Sequence, residues 1–422
     1  MGIQRKVEPM SSLYDPEQFL SRLPHLPKDK PAAVVFNAHI TGLAVTRALG
    51  RENIPVLALD RDARAYGLAS KYLHSAAICP NPLTNEEDFV DFLLQMGERL
   101  PVKAVLFPSN DEWVFAVSRH RDRLEKYYHF PFSPLEIVES VLNKKKLYQT
   151  AERLGVPIPK TWYPDEWMDI EAEAKKVTYP CILKPVEQRS FYDAFSAKVL
   201  EAHTPNEVIQ LLKKVYPHSV VIQEIVPAGL SNYVSLCSYM RSNGEMVAGF
   251  VGRKLEQYPP DFGTGCLVKS EDLPDLAELG ANILRTLAYY GISESEFILD
   301  HRDGVYKLLD INTRTWKWIG LPIACGWNLP LYAYEEAIGS PLTLPVSPTR
   351  KGMRWVYLKD YLTLKASGKY VSPQEHLHVH ELAELLTGTS ETCLDAVLDL
   401  DDPVPAARLL ENFYTRSYVC PC

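Results

Sequence analysis

The chain reads as an α/β domain followed by an α+β region, and three stretches predict this. Residues 31–125 alternate apolar strand runs with helix patterns, the signature of a parallel sheet covered on both faces. From residue 232 onward the strand pattern becomes antiparallel, with Ser242-Asn243-Gly244 marking a tight turn. The stretch 296–314, EFILDHRDGVYKLLDINTR, sets two β-rich runs on either side of an Asp-Gly turn and predicts a hairpin.

In chain order, residues 1–30 are polar and dotted with proline, and predict a loosely held arm. Residues 32–36 form a buried-strand run, 41–50 a helix ending in glycine, and 56–59 a second strand ending at Asp60. Residues 104–107 form a further strand, followed by Pro108-Ser109-Asn110-Asp111-Glu112 opening a helix. The first turn, NAHITG, carries only Gly42 where a dinucleotide fingerprint has three glycines. Asp60 stands near the position of a ribose-binding acid, but the missing glycines favour a Rossmann-like domain without that cofactor. Residues 133–155 read as helix ending at Gly155, and 156–161 as an extended exit. YPCILK (179–184) and VVIQEIV (220–226) are short buried strands. Residues 272–290 read as helix and 346–422 as a mixture of short helices.

The composition is that of an ordinary globular chain: 422 residues, 46% hydrophobic and 23% charged. A net charge of −8 argues against a general nucleic-acid or acidic-membrane binder. No apolar run is long enough to span a membrane, and the first residues lack a secretory pattern. A Met-Gly start hints at myristoylation, but Lys6 stands where that signal needs Ser or Thr. Six of the eight cysteines are scattered singly through apolar segments, as in a reducing, cytoplasmic compartment. Cys420-Pro421-Cys422 reads as a frayed tail.

The hairpin brings Glu296, Asp310 and Asn312 to one end, with Arg314 beside them. Three oxygen side chains in that arrangement suit Mg²⁺, which takes one or two carboxylates together with phosphates and water. A surface hairpin with solvated charges is the alternative. Lys144 on a helix, Lys184 at a strand end, Gln223-Glu224-Ile225-Val226 closing another strand, and Arg253 after the antiparallel pair precede it in order.

With that order and spacing, NKKKLYQTAERLGVPIPKT, YPCILKP, VVIQEIVPAG and EFILD…LLDINTR resemble the ATP-grasp superfamily, within it the carboxylate–amine ligases of the D-aspartate-ligase-like group. The resemblance spans roughly residues 31–345. It implies a Rossmann-like domain (31–125) before a two-lobed ATP-grasp fold: one lobe (126–225) carrying phosphate-binding lysines, one (226–345) carrying metal ligands, and a C-terminal extension (346–422). It further implies that Lys144 and Lys184 touch the ATP phosphates, joined by Lys198 at the far end of the segment 185–198. Glu224 would meet the exocyclic amine of adenine through its carbonyl or carboxylate, and Ile225 the ring through its backbone, with Val226 and Leu309 sandwiching it. Glu296, Asp310 and Asn312 would hold one or two Mg²⁺ ions, with Mn²⁺ as a substitute. Arg314 would steady the transferring phosphoryl group, with Arg253 as a second candidate and Lys254 behind it. Trp316, Lys317 and Trp318 follow closely: Lys317 is placed to pair with a substrate carboxylate, while both tryptophans suit either the acceptor pocket or the core. Trp113 is placed along the same cleft.

The segment PVEQRSFYDAFSAK lacks the glycines common in lids of this superfamily, and Asp310 replaces the more usual Glu. The implied activity is an ATP- and Mg-dependent ligase that activates a carboxylate as an acyl phosphate and joins it to an amine. A kinase of the same fold and a non-catalytic nucleotide-binding protein are the alternatives. The implied partners are a small-molecule carboxylate and amine, with no nucleic acid and no membrane. Residues 346–422 are read as completing the substrate pocket or a homodimer interface.

Overall fold

The computed structural model describes residues 14–164, 169–345, 351–368 and 376–413. The first 13 residues of the arm and the terminal Cys-Pro-Cys lie outside them.

Strands β1 (Ala33–Phe36), β2 (Val56–Asp60), β3 (Leu73–Ile78), β4 (Ala104–Phe107) and β5 (Tyr128–His129) form a parallel sheet in the order β3-β2-β1-β4-β5. The apolar runs of β1, β2 and β4 are buried along their whole length, as strands covered on both faces require. This confirms the Rossmann-like domain, with β5 carrying its sheet past residue 125. A Cβ at Gly42 would stand 2.3 Å from the Asn37 carbonyl oxygen, so glycine lets the helix Ile40–Gly50 seat against the turn. Asp60 is spent inside this turn, accepting from the Ala38 amide at 2.6 Å and the Asp62 amide at 2.8 Å.

The expectation of a loose arm fails for its second half. Helix Pro16–Arg22 is capped by Asp15, whose side chain accepts from the Glu17 amide. Phe19, Leu20, Leu23 and Leu26 enter the core of the first domain.

Residues 133–155 form two helices, Leu135–Leu142 and Lys144–Arg153, not one. Asn143 breaks them by capping the second through the Lys146 amide at 3.0 Å. A four-stranded sheet follows, ordered β6-β9-β7-β8: β6 (Thr161–Trp162), β7 (Cys181–Pro185), β8 (Leu200–Ala202) and β9 (Val220–Glu224). The glycine-poor segment after Lys184 folds as the helix Gln188–Phe195, anchored by Phe191, which packs on Phe195 and His218.

The largest sheet is ordered β14-β13-β10-β11-β12-β15-β16. Its strands are β10 (Tyr233–Met240), β11 (Met246–Tyr258), β12 (Thr264–Glu271), β13 (Gly291–Asp300), β14 (Val305–Asn312), β15 (Arg354–Val356) and β16 (Cys393–Asp395). The last two come from the C-terminal extension, so that segment completes the sheet instead of standing apart. One core runs from the first domain to this sheet, joining Val35 and Val105 to Phe250, Trp318 and Trp355. Among the described residues no helix is long and apolar enough to cross a membrane.

Candidate active site

Strands β13 and β14 pair antiparallel with Glu294 opposite Asn312 and Glu296 opposite Asp310. Opposed residues share a face of the sheet, so four polar side chains gather at one end of the hairpin. The next pair is Phe297 with Leu308, which leaves Leu309 as the extra residue of a β-bulge. The Leu309 carbonyl accepts from the Tyr148 hydroxyl at 2.6 Å, and that hydroxyl accepts from Lys184 Nζ at 3.0 Å. Lys144, first residue of its helix, is ion-paired with Asp310. Lys144 and Lys184, two of the three lysines expected at phosphates, therefore stand at the Asp310 end of the hairpin.

The electrostatics follow from burial and from these neighbours. Burial lowers the pKa of Lys184, against the fields of Asp310 and Glu296. Burial alone would raise Asp310, but Lys144 and then Lys184 outweigh it and hold the carboxyl below its ordinary range. Glu294 is pushed up to about 8, first by burial and then by the charge of Glu296. It lies beside Asn312, whose Nδ2 donates to Glu294 Oε2 at 3.0 Å and to Glu296 Oε1 at 3.5 Å. With its nitrogen on that side, the Asn312 amide oxygen is left for a cation.

Among the described residues, no three or more His, Cys, Asp and Glu side chains converge as a self-sufficient metal site. Two carboxylates and an amide oxygen form a hard, incomplete donor set, which fits Mg²⁺ because that ion keeps water and substrate phosphate in its shell.

Arg314 points toward the first domain: its Nε donates to Asp111 Oδ1 at 2.8 Å, and Thr315 meets Ser109 through their hydroxyls at 3.3 Å. Asp111 raises the Arg314 pKa against the opposing effect of burial. Lys317 is buried against Asp360 of the C-terminal extension and lies 4.9 Å above the Tyr357 ring. The partner found for it is thus a carboxylate of its own chain. Lys198 lies in the combined field of Glu296, Lys254, Lys317 and Arg314.

Arg253 is not gathered with the others. Phe297, Val234 and Arg253 are successive partners on one face, while Glu296, Ser235 and Gly252 are partners on the other. Arg253 instead bonds Glu271 at 3.0 Å and the Ser231 carbonyl. Its neighbour Lys254 takes the site face, with Nζ 3.8 Å from Glu296. Adjacent strand residues point to opposite faces, so Lys254, and not Arg253, shares the face of Glu296.

At the end of β9, the Glu224 carboxylate is buried and bound to Arg302, and the Ile225 amide donates to the Pro180 carbonyl at 2.9 Å. Val226 is buried and Leu309 half-buried. Trp113 is a correction: it stacks on Phe36 inside the first domain's core and lines no cleft. Trp316 and Trp318 likewise pack in the shared core.

Sequence reasoning missed Glu294, Asp111 and Asp360. Only Glu294 had a local signal, the Ser-Glu-Ser-Glu alternation of 293–296, which sets both glutamates on one strand face.

No family model matches the chain. The chain is 24% identical to the D-aspartate ligase of Enterococcus faecium over 266 residues, covering 59% of this chain and 63% of that protein. Among solved structures, its fold is similar to the biotin carboxylase domain of Hydrogenobacter thermophilus 2-oxoglutarate carboxylase (TM-score 0.61, 16% identity, 76% of this chain and 73% of that one). The L-amino acid ligase of Bacillus licheniformis gives a TM-score of 0.58 at 16% identity, over 74% and 75% of the two chains. The N5-carboxyaminoimidazole ribonucleotide synthetase of Thermus thermophilus gives 0.56 at 18% identity, over 76% and 81%.

Proposed function

We propose that this chain, an ATP-grasp protein by its fold, is an ATP-dependent ligase that activates a carboxylate as an acyl phosphate and joins it to an amine, releasing ADP and phosphate. The observation that carries the reading is the gathering of Glu296, Asp310 and Asn312 on one hairpin face beside Lys144 and Lys184. Amino-acid-like substrates are the favoured class, because the sequence relative is a D-aspartate ligase and one fold relative is an L-amino acid ligase.

Each side chain then has a task. Lys144 and Lys184 hold the phosphates as compact charges. Glu296, Asp310 and the Asn312 amide oxygen would hold Mg²⁺, with Mn²⁺ as a substitute, which when bound neutralises phosphate oxygens. Arg314 steadies the group in transfer through its planar guanidinium. Lys254 and Lys198 add positive charge where the tetrahedral oxyanion forms as the amine attacks. Glu294 supports Asn312 by accepting from its Nδ2. Val226 and Leu309 flank the base.

The protein is placed in the cytoplasm, supported by six buried free cysteines among the described residues. A homodimer completes the proposal, supported by the dimeric biotin carboxylase domain among the fold relatives.

The test is nucleotide product analysis. Purified protein is incubated with Mg-ATP and pools of amino acids, or with bicarbonate, each with and without hydroxylamine. ADP formation that depends on a pool, with a hydroxamate trapped, is the expected result. AMP and pyrophosphate would indicate adenylation and overturn the mechanism. ADP with a stable phosphate ester and no hydroxamate would make the protein a kinase.

A further inference from the structure

Arg302 sits in the β13–β14 turn, where the sequence HRDG suggests solvated charge. It turns instead toward the end of β9. Its Nη1 and Nη2 each donate to a Glu224 carboxylate oxygen at 3.0 Å, a forked pair. The same guanidinium grips Asp300 of its own hairpin, through Nε at 2.9 Å and Nη2 at 2.6 Å, and Lys307 closes on Asp300 from the other side. Glu224 is 1% exposed, whereas Arg302 is 43% exposed. The Lys160 amide supplies a third donor to Glu224 at 3.0 Å, and the Glu224 amide returns a bond to the Lys160 carbonyl at 2.9 Å. A buried anion of the small lobe is thus held by a cation of the large one. A second link lies beside it, from the Leu308 amide to the Pro157 carbonyl at 2.8 Å.

With three donors on it, the Glu224 carboxylate is committed to its own chain. The amides of Glu224 and Ile225 are spent on Lys160 and Pro180, and Pro227 has no N–H. Glu224, Ile225 and Pro227 offer carbonyl oxygens, with the Val226 amide as the main-chain donor not spent in this way, and a carbonyl accepts from an amine but repels another carbonyl.

We propose that Arg302 is a positioning residue for nucleotide selection: its fork on Glu224 locks residues 224–227 so that main-chain carbonyls, not the Glu224 carboxylate, read the amine edge of adenine. This rests on the nucleotide reading above. The phosphates are held elsewhere, by lysines that Arg302 does not touch. Its effect is therefore confined to the base.

The experiment measures binding of Mg-ATP, Mg-GTP and Mg-tripolyphosphate to the full chain and to its Arg302→Ala and Arg302→Lys variants by calorimetry. Arg302→Ala is expected to weaken Mg-ATP about tenfold, as displacement of a positioned segment does. It should also narrow the preference over GTP and leave tripolyphosphate within about twofold. Arg302→Lys keeps the charge but loses the fork, and should fall between. Unchanged ATP affinity in Arg302→Ala overturns the proposal, and so does an equal loss of all three probes, which marks general disruption. Where the alanine variant does not fold, the lysine variant decides: wild-type ATP affinity overturns the proposal, and a loss confined to ATP supports it. A wild-type protein that binds tripolyphosphate without preferring ATP over GTP overturns base selection alone. One that binds none of the three probes removes the nucleotide reading, and the fork's role with it.

Discussion

Asp402 joins the C-terminal segment to the first domain, and its removal is the sharpest stability test the structure offers. The carboxylate is fully buried and accepts from Arg47 Nε at 3.0 Å, Ser70 Oγ at 2.7 Å and the Lys71 amide at 2.9 Å. Arg47 is itself buried, and its Nη2 donates to the carbonyls of Val397 at 3.0 Å and Asp402 at 2.8 Å. Asp402→Ala leaves a guanidinium, a hydroxyl and an amide facing a void. Removing one member of a buried ion pair costs about 3–5 kcal/mol, mostly because the surviving charge stays buried without its partner. The remaining Arg47 bonds to carbonyls, and a second carboxylate, Asp399, 3.9 Å from its Nε, place the expectation at the lower end, about 3 kcal/mol. Asp402→Asn keeps the shape and an acceptor oxygen and should cost less.

The chain is too large for a single two-state transition to be assumed. The assay therefore pairs urea unfolding with limited proteolysis. Asp402→Ala should unfold at lower urea and become cleavable near residues 397–404 before the rest of the chain. A shift worth under about 1 kcal/mol, the value of an exposed ion pair, together with unchanged proteolysis, would refute the burial argument.

Three further outcomes follow from the site. Asp310→Ala and Asn312→Ala should each lower ADP production at least about 100-fold while leaving the circular-dichroism spectrum unchanged; near-normal turnover in either would remove the metal assignment. Lys254→Ala should impair turnover far more than Arg253→Ala, because only Lys254 faces Glu296, and equal defects would contradict the assigned strand faces. Arg302, with Lys307 behind it, holds the Asp300 carboxyl well below its ordinary range. A depressed carboxyl stabilises the fold above its unfolded pKa of about 3.9 and loses that contribution as pH falls through its folded value. Stability should therefore be insensitive to this group from pH 7 to 5 and fall below about pH 4, and Asp300→Asn should flatten that acid limb in pH-dependent unfolding.

The parts of the site readable from sequence are those fixed by period and turn chemistry. Asp-Gly closed the hairpin, and alternation put Asp310 and Asn312 on one strand face, but it is the bulge at Leu309 that sets Glu296 opposite Asp310. The same alternation was available for Glu294 and went unused. Arg253 and Lys254 show where period alone stops: two adjacent cations occupy opposite faces, and only the register with β10 decides which one meets Glu296. The bulge at Leu309 has no marker in LLDIN, because the extra residue is as apolar as its neighbours. The arm was misread despite a visible start signal, Asp15-Pro16-Glu17, followed by Phe19, Leu20, Leu23 and Leu26 at helical spacing. For Trp113 and Trp316, an aromatic residue at a strand–helix junction suits a cleft and a core equally, and only packing separates them.

The charges that Arg314 and Lys317 meet come from opposite ends of the chain. Asp111 belongs to the first domain and Asp360 to the extension, 203 and 43 residues away. Neither pairing is local, so no window of sequence around 310–318 contains it. The site is assembled by the shared core that joins the first domain to the large sheet, and by β15 and β16, which close the sheet beyond β12. Cutting the chain at 345 would strip Asp360 from Lys317 and leave a buried ammonium without its anion. It would also expose the edge of β12. The extension thus supplies both the last two strands of the large sheet and the carboxylate that meets Lys317.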